Sequence, residues 1–401
     1  MDGQATGELL RFFRSIQDPR AGNARHPLGD LLAVAILAVL CGAEGWAAVE
    51  AWGCGQAQWL KTFLELPYGI PSHDTFDRVF GLIDPLAFEK CFTDWTAGLI
   101  QNAQGLFIAV DGKTLRRSFK RAWSKTPVHL VSAFVSSNQL VLGQLATDCK
   151  SNEITARLSS PKSAIPKLLA MLDLAGATVT IDAMGCQREI AGQILRQQGH
   201  YLLAVKENQP TLLAAVKALL DEGILESFRS MCHGHFQLQE DKNNHGRVET
   251  RRVWVSDEVN WLGEQLLGLW PGLKSIVVVE SSRQDLGDLT GKTSTERRYY
   301  ICSHGGADNK LARLVAQAIR GHWGVENGLH WCLDVSMRED DSRIRMAHGA
   351  ENFSRLRRIA LNKLKRCDLK NTRGKSLKAG IRLKQQCCGW SREFLLQALL
   401  T

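Results

Sequence analysis

The feature that most restricts the fold of this chain is a change of pattern at Leu106, where short apolar runs begin after about a hundred residues of helix-like sequence. Such a run, roughly four to eight residues long, is typical of a strand that is buried on both faces. Three runs follow in close succession, at residues 106–110, 128–135 and 140–146. Their brief connections predict antiparallel pairing.

Farther along, the chain alternates between helix-like and strand-like segments. We predict helices over residues 154–172 and 187–197, and strands over residues 177–181 and 201–205. This alternation is typical of parallel strands that are joined by helical crossovers. Together with the first three runs, it predicts an α/β fold built on a mixed sheet with flanking helices.

The segment from about 212 to 300 interrupts the alternation, and we interpret it as a β-rich insertion. It contains a helix-like stretch and then strand-like runs at residues 248–255, 275–279 and 299–302. A helix with an apolar stripe is predicted next, over residues 311–331. The expected organisation is one domain over residues 101–365, which includes the insertion, and a basic tail over residues 366–401.

The first hundred residues carry no strand-like run, so an all-helical N-terminal domain is predicted over residues 1–100. Residues 31–40 are apolar all round, which is typical of a buried helix. At residues 71–75 a turn is followed by capping side chains. A further helix is therefore predicted to start there.

The charge balance permits binding to a polyanion. Lys and Arg number 50 against 41 Asp and Glu, which leaves a net charge of +9. Basic residues are concentrated between residues 343 and 384, where the apolar residues of a predicted helix form a stripe. We expect the cations opposite that stripe to face solvent and to follow a phosphate backbone; they include Arg355, Arg358, Lys363 and Lys365.

Composition also excludes a disordered chain and indicates a compartment. A hydrophobic fraction of 44% with 23% charged residues is typical of globular proteins. The eleven cysteines include no CxxC pair and the N-terminal residues do not resemble a signal peptide, which indicates reduced thiols in the cytoplasm. The apolar run at residues 31–41 is shorter than the roughly 20 residues of a membrane span, so no membrane anchor is expected.

Two aspartates follow predicted strands. Asp111 ends the run in AVDGK, and Asp182 ends another in VTIDAMG. A carboxylate at a strand end is held rigidly and reaches solvent, so it can bind Mg²⁺ and leave coordination positions for phosphate oxygens. Taken alone, either motif is better explained by an acid in a turn or at a helix N-cap, followed by glycine.

A third carboxylate is expected from the helix that contains HWGVENGLHWCLDV. His322, Glu326 and His330 are spaced by four residues and so share one helical face, which favours Glu326. The same face also fits a solvated polar surface. A zinc site is a further alternative for this helical face. It would lack the HExxH arrangement, and it would leave the two strand-end aspartates without a role. The rival carboxylates lie beyond the helix, at Glu339, Asp340 and Asp341.

Basic residues follow two of the predicted strands. Lys113, Arg116 and Arg117 come soon after Asp111, and Lys206 follows the strand over residues 201–205. Cations beside a metal site can hold a scissile phosphate or the backbone next to it. A solvated loop explains the first three equally well.

The order of two strand-end aspartates and a later helical glutamate resembles the DDE transposases of the ribonuclease-H-like superfamily. More narrowly, the chain resembles the ISAs-type insertion-sequence transposases and H-repeat-associated proteins. Over nearly the whole chain, the motifs that carry this resemblance are VDGKTLRRS, HLVSAF, LGQLATDCKSNEITA, TIDAMGCQ, YLLAVKENQP, HWGVENGLHWCLDVSMREDDSRIR and NFSRLRRIALNKLK. GIPSHDTFDRVF resembles the helical segment that accompanies this catalytic domain, and it makes the N-terminal domain a candidate for binding DNA ends.

The resemblance implies a ribonuclease-H-like core with Asp111, Asp182 and Glu326 as catalytic residues and metal ligands. It implies two Mg²⁺ ions, for which Mn²⁺ can substitute, and cleavage of element ends followed by joining to target DNA. The partners are then double-stranded DNA, as terminal inverted repeats and target, and a second copy of the chain on paired ends. The expected location is the bacterial cytoplasm, in association with the nucleoid.

The helix departs from one related signature, in which an Arg stands four residues before the Glu and a Lys seven residues after it. Here those positions hold His322 and Leu333. His322 is therefore only a candidate DNA contact. Two further alternatives stay open, a metal-dependent nuclease without strand transfer and a catalytically inactive DNA-binding relic of a transposase.

Overall fold

The computed structural model describes residues 7, 10–20, 22, 24–100, 102–118, 127–147, 164–242, 247–285, 293–371 and 373–401. Nine strands in this part of the chain form one mixed sheet, in the order β3-β2-β1-β4-β5-β9-β8-β7-β6. The strands are β1 Phe107–Thr114, β2 His129–Val135, β3 Leu140–Ala146, β4 Thr178–Ile181, β5 His200–Val205, β6 Gly234–Lys242, β7 Arg247–Ser256, β8 Ser275–Asp285 and β9 Thr293–Cys302.

The first five strands have the ribonuclease-H-like arrangement. β1, β2 and β3 pair antiparallel, whereas β4 pairs parallel with both β1 and β5. Both expectations for strand direction are confirmed. The crossovers are the helices Ala164–Ala170 and Arg188–Arg196. Of the helix predicted over residues 154–172, the part before Ala164 lies outside the described residues.

The β-rich insertion extends the same sheet. It begins with the helix Pro210–Leu225, whose first residue is a proline, as is favourable where no amide donor is needed. β9 then pairs antiparallel with β5, and β8, β7 and β6 follow, each antiparallel to its neighbour. Short helical turns at Val259–Leu262 and Glu264–Leu267 join β7 to β8. Strand β6 was not predicted, because its sequence GHFQLQEDK is mostly polar.

The N-terminal helices are Leu28–Leu40, Trp46–Gly55, Ala57–Leu60, His73–Leu82 and Pro85–Ala97, preceded by a 3₁₀ turn at Arg11–Phe13. Residues 31–40 are all buried, as predicted. The helix predicted near residue 72 begins at His73, and the side chain of Ser72 caps it by accepting from the amide of Thr75. In the described part of the chain, no helix is both long and apolar enough to cross a membrane.

A helix at Gly349–Arg366, here called the buried helix, joins the N-terminal helices to the sheet. Every residue from Gly349 to Leu364 is buried. Phe353 and Leu356 share one apolar core with residues of the N-terminal helices such as Phe76. The helices Ile381–Trp390 and Arg392–Leu400, which lie in the segment predicted as a basic tail, place Cys388 and Leu395 in the same core.

Candidate active site

Asp111 and Asp182 follow the last residue pair of the parallel β1–β4 pairing. β1 itself continues past Asp111 to Thr114, so the prediction that Asp111 ends its strand is wrong, whereas Asp182 does follow the end of β4. Val110 of β1 is the register partner of Ile181 of β4, and the two aspartates are the next residues along each strand. These neighbouring backbone positions bring both residues to the same edge of the parallel pair. Asp182 also forms the N-cap of a single 3₁₀ turn, Ala183–Gly185.

Glu326 follows the last residue of a helix that packs against β1, β4, β6 and β7. The helix runs over Asn309–Val325, here called the site helix, and the Asp308 side chain caps it by accepting from the amide of Leu311 at 2.7 Å. The helix predicted over residues 311–331 does continue through Trp331, but its last turns are not regular α-helix. From Glu326 the backbone follows wider π-helical turns, Glu326–His330 and Cys332–Ser336.

Two contacts account for the wider turns. A Cβ at Gly328 would lie only 2.9 Å from the Phe134 ring, so glycine permits a close approach to the sheet. The carbonyl of Gly328 also accepts a hydrogen bond from the Lys365 ammonium of the buried helix. This external donor offsets the poorer hydrogen bonding within a widened turn.

His330 brings Glu326 and Asp111 together. Its Nδ1 lies 3.5 Å from Glu326 Oε2 and 3.7 Å from Asp111 Oδ2. One potential ligand atom from each of the three residues lies within 4.8 Å of the other two. Asp182 is outside this group, but it lines the same cavity of about 550 Å³ as Asp111 and Glu326.

Lys206 neutralises Asp182. Its Nζ lies 3.1 Å from Asp182 Oδ1, and both side chains are about half exposed. Burial raises the pKa of the Asp182 carboxyl, but the amide of Ala183 and the Lys206 ammonium together hold that pKa below its usual value. Asp182 is therefore ionised at neutral pH. Asn208, just beyond Lys206, donates to the carbonyl of Ala183 at 2.6 Å and secures the turn that carries Asp182.

His322 lines the cavity but does not join the Asp111, Glu326 and His330 group. Its Nδ1 lies 3.0 Å from Thr180 Oγ1. Burial lowers the pKa of His322 despite the nearby aspartates, which indicates a neutral imidazole. The three residues predicted to share one helical face, His322, Glu326 and His330, therefore do not all point to the same place. His330 contacts Glu326 and Asp111, whereas His322 contacts Thr180 of β4.

The basic residues after Asp111 have different surroundings. Lys113 is 8% exposed, and its ammonium contacts Asp334, Glu339 and Asp340. The prediction that Lys113 contacts DNA is wrong, because three carboxylates already surround its charge in the interior. Arg116 is 80% exposed in its side chain and pairs with Asp340 at 3.2 Å. Arg117 is half exposed and pairs with Asp341 at 3.2 Å.

The rival carboxylates do not join Asp111 in the candidate metal-binding group of the described residues. Glu339 is fully buried, and it accepts from Ser354 at 2.6 Å and from Arg358 at 3.1 Å. Burial raises the pKa of Glu339, but Arg358, Lys113, Arg357 and the Ser354 hydroxyl together outweigh burial and hold the pKa well below its usual value, so the carboxyl stays ionised. It is Glu326, and not Glu339, Asp340 or Asp341, that joins Asp111 in the candidate metal-binding group among the described residues.

The cations of the buried helix do not form the solvent-facing basic surface that was predicted, and this prediction is wrong. Arg355 Nε lies 2.5 Å from Glu89 Oε2, with both side chains fully buried. Arg358 pairs with Glu339, and Lys363 donates to the carbonyl of Leu399 at 2.8 Å. Lys365 is half-buried and donates to Gln139 at 2.8 Å. Residues 349–364 of this helix are all buried, so they leave no face for a phosphate backbone.

A basic groove beside the site was missed. A second cavity of about 820 Å³ shares Glu326, Trp323 and Arg298 with the first and continues over the insertion strands. Arg298 lies over the Trp323 ring at 4.7 Å, and Trp323 is 51% exposed. The further arginines that line this cavity are Arg251, Arg283 and Arg320. They lie far apart in the sequence, on β7, β8 and the site helix respectively, and no local sequence pattern groups them.

The chain matches two family models, and two similar proteins are described as transposases. Residues 102–363 match the family model described as "Transposase DDE domain", and residues 10–96 match the one described as "DDE_Tnp_1-associated". "Putative transposase YncI" of Escherichia coli O157:H7 is 40% identical over 94% of this chain and 90% of its own length. "H repeat-associated putative transposase YhhI" of E. coli K12 is 40% identical over 98% of this chain and 97% of its own.

Among solved structures, the cryo-EM structure of a piggyBac transposase synaptic complex with hairpin DNA aligns with a TM-score of 0.39. The alignment has 12% sequence identity and covers 98% of this chain and 78% of the piggyBac chain.

Proposed function

Because the chain belongs to the family of transposases with a DDE domain, we propose that it cleaves the ends of an insertion sequence and joins them to target DNA. The proposed catalytic residues and metal ligands are Asp111, Asp182 and Glu326. The observation that carries the proposal is the convergence of these three carboxylates on one cavity beside the end of the parallel β1–β4 pairing. Phosphoryl transfer of this kind requires such a cluster of hard oxygen ligands.

The side chains fit a divalent cation. Carboxylate oxygens of Asp111 and Glu326 flank the same imidazole nitrogen at 3.7 Å and 3.5 Å, and the ionised Asp182 lies at the adjacent strand end. The resemblance implies two Mg²⁺ ions, with Mn²⁺ able to substitute. When bound, such ions polarise a phosphate oxygen and lower the pKa of a water molecule or a DNA 3′-hydroxyl.

The protein's own contribution is to orient the reacting DNA. Rigid strands and a helix end hold the three carboxylates, so little reorganisation is needed when charge develops on the phosphate. Lys206 neutralises Asp182, and its half-exposed ammonium can also pair with a phosphate oxygen. Arg298 and the exposed Arg116 are suited to the flanking backbone.

The proposed partners are double-stranded element ends, target DNA and a second copy of the chain. Two ends must be held together for coordinated joining, which favours a dimer. The N-terminal helices, including His73–Leu82, are the proposed reader of the element ends. A cytoplasmic, nucleoid-associated protein is expected on this basis.

The test is incubation of the purified full-length protein with linear DNA that carries candidate element ends, in Mg²⁺ or Mn²⁺. Wild type should cleave at the ends. Asp182→Asn keeps the shape of the side chain but removes a proposed metal ligand, so the rate of cleavage should fall by roughly a hundredfold. Glu222→Gln, at an exposed position on the helix Pro210–Leu225, is the control and should match wild type.

Precleaved ends separate the remaining alternatives. A transposase joins them to target DNA, whereas a simple nuclease cleaves but does not join. An inactive DNA-binding relic would bind the ends and do neither. Identical products from wild type and Asp182→Asn would overturn the proposed active site.

A further inference from the structure

Building on the function proposed above, we propose that His330 supplies a nitrogen ligand to the cation held between Asp111 and Glu326. The resulting donor set is two carboxylates and one imidazole. It accepts a first-row transition ion such as Mn²⁺ more readily than three carboxylates alone, and Mg²⁺ less readily.

The spacing of the three residues suits ligands of one ion better than hydrogen-bonded neighbours. His330 Nδ1 lies 3.5 Å from Glu326 Oε2 and 3.7 Å from Asp111 Oδ2. An ordinary N–H···O bond would bring these atoms to about 2.7–3.2 Å. Two ligands that are each about 2.1 Å from a common ion lie roughly 3.0 Å apart when adjacent and 4.2 Å apart when opposite. Both observed distances are longer than a hydrogen bond and shorter than the greatest separation that two ligands of one ion can have.

His330 is also not a satisfied core histidine. The residue is only 7% exposed, and its Nε2 has no hydrogen-bond partner among the described residues. Buried polar atoms are nearly always paired, because leaving one unpaired costs free energy. A structural role would use both ring nitrogens, whereas here Nδ1 is directed between two carboxylates.

The π turn explains how a buried imidazole reaches this position. Glu326 and His330 begin and end the turn Glu326–His330, and its Gly328 is held by Lys365 from the buried helix. The Glu326 side chain is 70% exposed, whereas that of His330 is 9% exposed. The imidazole therefore forms the inner wall of the group and the two carboxylates its open side.

His322 is the natural comparison, since it lines the same cavity. Its Nδ1 lies 3.0 Å from Thr180 Oγ1, and it is not a member of the group formed by Asp111, Glu326 and His330. It is therefore already oriented by β4. A variant of His322 therefore tests whether any histidine in the cavity could be the nitrogen ligand of the cation.

The donor chemistry predicts which ion is favoured. Mg²⁺ prefers oxygen ligands and retains its water, whereas imidazole is a common ligand of first-row transition ions. Replacing one water by an imidazole should therefore increase the preference for Mn²⁺ over Mg²⁺. The proposal concerns this preference and the identity of one ligand atom, and both can be measured without DNA.

The experiment uses the full-length protein with Mn²⁺ as the probe. Titration followed by electron paramagnetic resonance gives the affinity for Mn²⁺, and competition with Mg²⁺ gives the preference. Electron spin-echo modulation then reports whether a ¹⁴N nucleus is bound to the ion. Wild type should show ¹⁴N modulation that disappears when the protein is labelled with ¹⁵N-histidine, a measurement that needs no variant.

Two variants identify the histidine. His330→Gln should lose the ¹⁴N modulation, bind Mn²⁺ about tenfold more weakly and change less in its affinity for Mg²⁺. His322→Gln should retain the modulation. Circular dichroism of both variants checks that they are folded.

The outcomes separate the two proposals. If Asp111→Asn abolishes Mn²⁺ binding but wild type shows no ¹⁴N modulation, the histidine ligand is overturned and the carboxylate site stands. Modulation that disappears in His322→Gln and persists in His330→Gln also overturns the assignment. If Mn²⁺ binding does not depend on Asp111, the proposed active site and the inference both fail.

Discussion

Lys113 Nζ lies 3.0 Å from Glu339 Oε2 in the protein interior. The same ammonium contacts Asp334, which belongs to the second π turn after Glu326. A lysine two residues beyond Asp111 thus ties β1 to the segment that carries Glu326 and His330. This buried network fixes one part of the site relative to another, and it uses a cation that the sequence had suggested for DNA.

Lys113→Met is expected to destabilise the fold rather than to weaken DNA binding directly. Removing one partner leaves buried carboxylates short of positive charge, which typically costs about 3–5 kcal/mol. The free energy of unfolding in urea measures this. Arg116→Gln is the matched control at an exposed pair, and it should leave stability nearly unchanged while lowering the salt dependence of DNA binding. A Lys113→Met protein as stable as wild type would contradict the network.

Glu339 should make stability depend on pH in the acid range. Burial raises the pKa of its carboxyl, but Arg358, Lys113, Arg357 and the Ser354 hydroxyl together outweigh this and hold the pKa well below the ordinary value. With the folded pKa lower than the unfolded one, the stabilisation is present above about pH 4.3 and is lost as the pH falls towards the folded pKa.

The measurement is urea unfolding of wild type and Glu339→Gln between pH 7 and pH 3. The variant should be less stable at pH 7, and the difference between the two proteins should shrink as the pH falls. Parallel curves for both proteins would show that Glu339 does not carry this dependence.

Arg355 and Glu89 should behave as a coupled pair. Arg355→Met alone leaves Glu89 buried without its cation and should cost about 3–5 kcal/mol of unfolding free energy. The double variant Arg355→Met with Glu89→Gln should recover part of that loss, because the Glu89 charge is also removed; only Glu351, which lies 3.2 Å from Arg355, still lacks its cation. A double-mutant cycle in urea measures the coupling, and additive effects of the two substitutions would exclude it.

The contribution of Lys365 to the free energy of unfolding should increase as the pH rises through the alkaline range. Burial lowers the pKa of its ammonium to about 8, whereas an unfolded lysine has a pKa of about 10.4. Between these values the unfolded chain binds more protons, so the contribution of Lys365 to stability rises with pH. The stability of wild type relative to Lys365→Met should therefore increase from pH 7.5 to pH 10.

The matched control for Lys365 is Lys61→Met, at an exposed position whose substitution should leave the pH profile of wild type unchanged. Thermal unfolding across the pH range is sufficient. A constant difference between wild type and Lys365→Met would mean that the lysine titrates normally in the folded protein.

The core of the sheet and the two aspartates could be predicted because their signals are local. A continuous apolar run such as the one before Asp111 or Asp182 has to be buried on both faces, and the first polar residue after it lies at a sheet edge. Alternation with helices then predicts parallel neighbours, and parallel strands end at the same edge. The insertion strands β7 to β9 were predicted from the strand-like runs at residues 248–255, 275–279 and 299–302, whereas the mostly polar β6 was not predicted.

Glu326 was selected from the resemblance and from regular helical spacing, and the spacing held only in part. Periodicity assumes an unbroken α-helix, but a close contact at Gly328 and a donor from Lys365 widen the turn. Both partners come from other elements. For that reason the pattern of residues on the helix could not show that His330, and not His322, would face Glu326 and Asp111.

The sequence by itself determined the central strands and the edge at which Asp111 and Asp182 lie, since apolar runs and turn residues act over a few neighbours. Only the tertiary structure decided which partners the charged side chains of the buried helix contact. Arg355 and Arg358 can be buried because Glu89 and Glu339 are brought to them from distant segments. The cost of burying a charge depends on such partners, and a one-dimensional pattern of basic residues contains no record of them.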